Sequence, residues 1–298
     1  MFFRTDLALE EQEAAGACLA PEHLRVHQQG DCRITRMALR GDDAQRFHKP
    51  EGKYVTIELP PISDHIDGDN QYLQTVADEL RRLLPQEGLV LVAGLGNRAI
   101  TPDALGPKTI EQVLATRHIT KELKRITGVD SLRPVAAVSP NVLGNTGMET
   151  FEVLHSLVQE MKPAAVIAID ALAARSLNRL GCTVQLSDAG IAPGAGVGNH
   201  RPQIDRNSLG APVIALGVPT VVDAGTLASD LLTQGSEEHH PHPECLQALT
   251  APRGAEMVVT PREIDLLIIR AARLAAMAIN TALNPCFSVS EFSALVAG

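Results

Sequence analysis

The chain has no tryptophan, two tyrosines and six phenylalanines among its 298 residues. That leaves few aromatic platforms on which single-stranded nucleic acid could stack. Basic residues are outnumbered, with 26 Lys and Arg against 35 Asp and Glu and a formal net charge of −9. A surface that coats DNA or RNA needs the opposite balance, so no direct nucleic-acid binding is expected. Cysteines are few and dispersed: Cys18, Cys32, Cys182, Cys245 and Cys286, without a Cys-x-x-Cys pair. An odd, scattered set builds neither a disulfide framework nor a zinc knuckle, and it fits a reducing compartment. The N-terminus lacks the apolar run of a secretory signal, and the longest apolar stretches fall short of a membrane span. A cytoplasmic chain with no membrane partner is the expectation. Gly-x-Ser-x-Gly and His-Glu-x-x-His are both missing, which removes the serine-elbow and zinc-helix hydrolases.

What remains is an ordinary globular composition, 45% hydrophobic and 20% charged. Residues 1–30 are rich in Ala, Glu and Gln and read as an arm or loosely held helix. Cys32–Leu39 and Tyr54–Leu59 alternate polar and apolar residues like half-buried strands, with a polar turn over 41–52 between them. Residues 60–70 form a linker before an amphipathic helix over 71–84. From Leu89 the pattern changes. Apolar runs at 89–93, 135–139, 164–169 and 212–218 are of the fully buried kind that parallel sheets use. Helical segments are expected over 104–124, 150–161, 171–180, 220–233 and 261–281, the last opened by Thr260-Pro-Arg-Glu263. The fold class predicted is therefore α/β: a mostly parallel sheet with helices on both faces, plus a small N-terminal β-containing subregion. Residues 31–60 supply the peripheral strands and 88–284 the core, within a single domain. Residues 235–255 read as a polar loop.

Two runs share one design, an apolar stretch followed by Asp-Ala-Leu. One leads to Asp103 and the other, Ala164-Ala-Val-Ile-Ala-Ile, to Asp170. In open α/β sheets chemistry collects at the carboxyl ends of strands, so two carboxylates delivered there can meet and divide acid and base roles. Helix N-capping is the plainer role for either residue. Gly94-Leu-Gly96-Asn97 loosely matches a dinucleotide fingerprint. No acidic residue closes a second strand, so close backbone approach to a substrate or to the Asp103 loop is the better reading. A second glycine-rich loop holds Gly194, Gly196, Gly198 and Asn199, placed to aim amides at a carbonyl or to act as a plain connector. Asp223 reads as structural. His239, His240, His242 and Cys245 lie without regular ligand spacing in the polar loop, so no metal site is assigned.

Thr101-Pro-Asp-Ala-Leu-Gly-Pro-Lys108, Thr116-Arg-His118 and Ile169-Asp-Ala-Leu-Ala-Ala-Arg-Ser176 together resemble the germination protease family of endospore-forming bacteria. Ser187-Asp-Ala-Gly through Asn199, Gly217-Val-Pro-Thr-Val-Val-Asp-Ala224 and Val259-Thr-Pro-Arg-Glu-Ile-Asp265 extend the resemblance along most of the chain. It implies the fold of hydrogenase-maturation peptidases and an atypical aspartic-type endopeptidase without a cofactor. Asp103 and Asp170 match the family's two proposed catalytic acids, with Asp170 taken as base and Asp103 as acid. The substrates implied are the small acid-soluble proteins that coat spore DNA, cut in the spore core by a homotetramer. The family is also made as a self-processing zymogen. Arg4-Thr-Asp-Leu-Ala-Leu-Glu10 resembles its cleavage sites and implies a cut between Asp6 and Leu7 that removes a six-residue prosegment, 1–6. Two other readings stay open: a metal-assisted maturation-type peptidase using His118, His155 or His200, and a nucleotide- or phosphate-binding protein.

Overall fold

The computed structural model describes residues 5–16, 19–20, 22–64, 70–120, 122, 132–194, 201–234 and 257–297. Its strands are β1 Leu24–Gln29, β2 Cys32–Leu39, β3 Gly52–Glu58, β4 Val90–Gly94, β5 Val135–Val138, β6 Ala165–Ala174, β7 Thr183–Ser187, β8 Val213–Asp223 and β9 Val258–Val259. They join in one sheet, in the order β1-β2-β3-β7-β8-β6-β4-β5, with β9 on β8.

The α/β class holds, but the sheet is evenly mixed where a mostly parallel one was expected. β8, β6, β4 and β5 run parallel, whereas β1, β2, β3 and β7 pair antiparallel and join the rest through β8. The joining element is β7, Thr-Val-Gln-Leu-Ser, too polar to stand out as a buried run. It is nonetheless fully buried, with β3 and β8 paired on its edges, Val184 and Leu186 in the core on one face and Gln185 under the N-terminal segment on the other.

Three corrections bear on the site. The helix expected over 171–180 does not form, because β6 continues through Ala174. Helix-favouring Ala and Leu are overridden by ladder partners on β8, from Ala171 opposite Val218 to Ala174 opposite Val222. Likewise β8 extends to Asp223, and helix begins only at Ala224. The helix expected over 104–124 is helical at Leu105–Ile110 and gives way to turns. By contrast the helices at Gln71–Leu83, Thr150–Met161 and Ile264–Leu283 form where their periodicity placed them.

Ile264–Leu283 also corrects the expectation about apolar length. Within its 20 residues an 18-residue stretch reaches a mean hydropathy of 1.6, enough by length and composition for a membrane span, yet 78% of that stretch is buried inside the protein. With Gln71–Leu83 it covers one sheet face, packing on Val55, Ile57, Val92, Ile167, Ile214 and Leu216. On the opposite face Leu154, Val158 and Leu209 pack on Leu91, Val166, Ala168 and Val213. There the N-terminal segment is held firmly. Helix α1, Ala8–Ala14, buries Ala8, Leu9 and Glu10 against the antiparallel half. Cys32 and Cys182 are free thiols.

Candidate active site

β4 stops at Gly94, opposite Ile169, and the chain turns away as the Leu95 amide donates to the Ile169 carbonyl at 2.8 Å. β6 therefore overhangs its neighbour from Asp170 onward, while its other edge stays paired with β8. Asp170 is thus the first residue of the overhang in mid-strand, and it caps no helix. Its side chain is buried, and its Oδ1 accepts from the Ala171 amide at 2.9 Å. Burial holds its carboxyl well above the ordinary carboxylate range. The nearby charges of Asp103 and Asp6 push it the same way, and the Ala171 amide opposes them.

Asp103 arrives from the β4 side on a single 3-10 turn, Thr101–Asp103. Two glycines make that approach possible. A Cβ on Gly94 would stand 2.3 Å from the Gly106 carbonyl oxygen, and one on Gly96 would stand 2.1 Å from the Asp103 carbonyl oxygen. Gly96 also sits at φ +101°, a backbone that side-chain-bearing residues rarely adopt. The Asp103 Oδ2 accepts from the Asn97 amide at 2.8 Å, and the Thr220 hydroxyl on β8 ties down the Pro102 carbonyl at 2.8 Å. Asp103 caps no helix either: the cap position of Leu105–Ile110 is Ala104, with no side-chain bond. Burial raises its pKa above the ordinary value, and the Asn97 amide partly counters that.

Both carboxylates open into one cleft of about 560 Å³, which Asn97, Gly96, Gly194, Arg201 and Asp223 also line. Arg201 pairs with Glu149 at 3.0 Å on its rim. Asp223 serves the fold, its Oδ1 accepting from the Thr226 amide at 2.9 Å at the start of the next helix. Gly196, Gly198, Asn199, His200, His239, His240, His242 and Cys245 lie outside the described residues. His118 and His155 are not among the cleft's lining, and the His155 ring lies against Phe151. Among the described residues no three His, Cys, Asp or Glu side chains gather as a metal site.

The cleft also holds a part of the chain itself. Asp6 lines it, and its backbone amide donates to the Ala173 carbonyl at 2.9 Å on the overhanging edge of β6. The Ala173 amide in turn donates to the Asp6 Oδ2 at 2.8 Å. Leu7 is completely buried among Leu172, Ala174 and Val222. The Glu10 carboxylate accepts from the amides of Arg175 and Ser176 at 2.7 and 2.9 Å, and from the Thr5 hydroxyl. None of these seats was legible in the sequence, because Ala173 and Arg175 act through their backbones.

The family model for the germination protease matches residues 6–240. The germination protease of Clostridium perfringens strain SM101 is 43% identical over 279 residues, covering 86% of this chain and 85% of that protein. That of Caldanaerobacter subterraneus subsp. tengcongensis is 40% identical over 320 residues and 98% of each chain. The Bacillus velezensis protein is 34% identical over 344 residues, 94% of this chain and 93% of its own. Among solved structures, the hydrogenase maturation protease HycI of Thermococcus kodakarensis superposes on 69% of this chain and 98% of its own. Its TM-score is 0.38 at 16% identity, too loose a likeness to bear on fold or site. The family match spans β1 to β8 with Asp103 and Asp170, and relatives extend the likeness to 98% of the chain: the chain belongs to the germination protease family and is a protease.

Proposed function

We propose that this protein is an endopeptidase in which Asp103 and Asp170 hydrolyse the peptide bond as a pair, without a cofactor. The observation that carries the reading is the convergence of two carboxyls, one on β6 and one on the turn after β4, on one cleft in which burial raises both. Close carboxyls in a low-dielectric site hold a proton between them and titrate as a unit. Electrostatics favours the reverse of the roles expected from sequence. Asp170 is buried and Asp103 only partly so, which makes Asp170 the better holder of the proton. Asp103, nearer to solvent, is the better base.

In the first step Asp103 takes a proton from water while the water oxygen bonds to the carbonyl carbon. Asp170 gives its proton to the carbonyl oxygen, leaving a neutral tetrahedral diol. In the second step the leaving nitrogen takes the proton from Asp103, the C–N bond breaks, and a diol hydroxyl returns its proton to Asp170. The products are a carboxylic acid and an amine, and both aspartates end as they began.

Small acid-soluble spore proteins are the proposed substrates, and the spore-core cytoplasm the proposed location. A net charge of −9 supports action on such proteins off the DNA rather than competition for its phosphates. The same chemistry is proposed to cut the chain's own Asp6–Leu7 bond and remove residues 1–6; the working form is proposed to be a homotetramer. The test is replacement of each aspartate in turn. Asp103→Asn and Asp170→Asn should each slow self-cutting and substrate digestion by about 10²–10⁴-fold in a folded protein, the range of one acid–base group. Wild-type rates from either variant, read by mass spectrometry of the N-terminus, would refute the pair.

A further inference from the structure

Asp170 does not stand alone on its sheet face. The residues level with it across β8, β7, β3 and β2 are Gly217, Gln185, Thr56 and Thr35. In a protein whose other sheet face is lined with Val, Ile and Leu, this is a buried polar row leading away from the acid. Gly217 leaves a gap in it. A Cβ there would stand 2.5 Å from the Leu172 side chain, so the position between Asp170 and Gln185 carries no side chain. The Gln185 side chain is directed at the N-terminal segment. Its Nε2 donates to the Asp6 carbonyl at 3.1 Å, and its Oε1 accepts from the Ala8 amide at 2.8 Å.

That carbonyl belongs to the Asp6–Leu7 bond, and Ala8 is the second residue beyond it. We infer that Gln185 is a catalytic residue: its amide holds and polarises the carbonyl of the bond to be cut, and steadies the negative charge that builds on its oxygen while Asp170 delivers the proton that completes the diol. Thr5–Ala8 then lie as a substrate lies. Ala173 on the β6 overhang pairs with the residue before the cut, Leu172, Ala174 and Val222 enclose the residue after it, and Gln185 spans the bond. Pairing an extended chain to an open strand edge is a general mode of peptide capture, in which the main chain gives affinity and alternate pockets give specificity. Gln185 acts on main-chain atoms and so serves any sequence placed there. The assignment rests on the proposed peptidase reading of the Asp103–Asp170 pair and adds to it a second donor to the carbonyl oxygen beside Asp170.

The experiment uses the full chain and a peptide of its own sequence from Thr5 to Glu13, with self-cutting and peptide hydrolysis both followed. Gln185→Met keeps the length and removes donor and acceptor. It should lower kcat and the self-cutting rate by about 10²–10³-fold, the loss usual for one oxyanion donor. KM should rise far less than kcat falls, because the ground state loses only the Ala8 contact and the neutral bond to the carbonyl. Gln185→Glu at pH 8 keeps the acceptor for Ala8 and removes the donor; it should be similarly slow, and it answers the question if the Met variant fails to fold. A tether with no catalytic part would raise KM and leave kcat at the wild-type value, and that result overturns the assignment. The arms separate the two readings. Active wild type with equally active Gln185 variants removes Gln185 alone, whereas full activity in Asp103→Asn removes the aspartate pair beneath it. A wild-type chain that cuts neither itself nor the peptide removes both.

Discussion

β6 behaves as two different strands. From Val166 to Ile169 it is flanked on both edges, by β4 and β8, and every residue is buried and apolar. From Asp170 to Ala174 the β4 edge is vacant, and the same backbone meets a carboxyl, a segment of distant chain and a cleft. Composition scarcely changes across the boundary, Ala-Val-Ile-Ala-Ile against Asp-Ala-Leu-Ala-Ala. What changes is where the neighbour stops. A strand that outruns its partner exposes amides and carbonyls at the depth of the core, where their bonds are strong and water is scarce. Site and scaffold are thus successive halves of one element, one shaped by packing and the other by unpaired backbone.

Substitutions should divide along that boundary. In the doubly flanked half, Ile167→Ala empties a fully buried position and should destabilise by about 2–5 kcal/mol. The kcat of the protein that remains folded should be unchanged, as measured by denaturant titration beside active-site-normalised turnover. Loss of kcat at constant stability would erase the boundary. Next in size is Gly96→Ala, at the turn that brings Asp103 over the end of β4. Its methyl group meets the Asp103 backbone and forces that loop outward. A displacement near 1 Å at a reacting group corresponds to about 10²-fold in rate. Stability should fall by only about 1–3 kcal/mol, the size of a single strained backbone position. Equal rates for Gly96→Ala and wild type would mean that Asp103 does not depend on this approach.

The same boundary explains what the sequence disclosed. Apolar runs named β4, β5, β6 and β8 because buried parallel strands need unbroken Val, Ile and Ala. The two Asp-Ala-Leu runs pointed to one cleft because strand ends gather ligands in such sheets. Where β6 should end was hidden, since Ala171–Ala174 have helical propensity and only the pairing with β8 makes them strand. Gln185 was hidden because Thr-Val-Gln-Leu-Ser is a short, half-polar run whose role depends on lying two strands from Asp170 across a glycine. The grip on Asp6 and Glu10 was least legible of all. Backbone amides supply it, and an amide leaves no mark in a sequence.

The smallest expected effect concerns the proton on Asp170 and is read in stability rather than rate. In the unfolded chain an aspartate titrates near about 3.9, whereas in the folded protein burial, Asp103 and Asp6 hold Asp170 well above that. As pH rises past the unfolded value, the unfolded chain gives up this proton while the folded one keeps it, so folding stability declines until the folded value is passed. Below the unfolded value the group is protonated in both states and the penalty vanishes. Asn at this position has no proton to lose, and its carbonyl oxygen still accepts from the Ala171 amide. Asp170→Asn should therefore match wild type in Tm at pH below about 4 and gain on it steadily as pH increases toward neutrality. Asp103→Asn should shift the same way by less, because Asp103 is less buried. A Tm difference that is flat with pH for Asp170→Asn would mean an ordinary carboxylate at the start of the overhang. The contrast between the two halves of β6 would then be one of shape, with no electrostatic part.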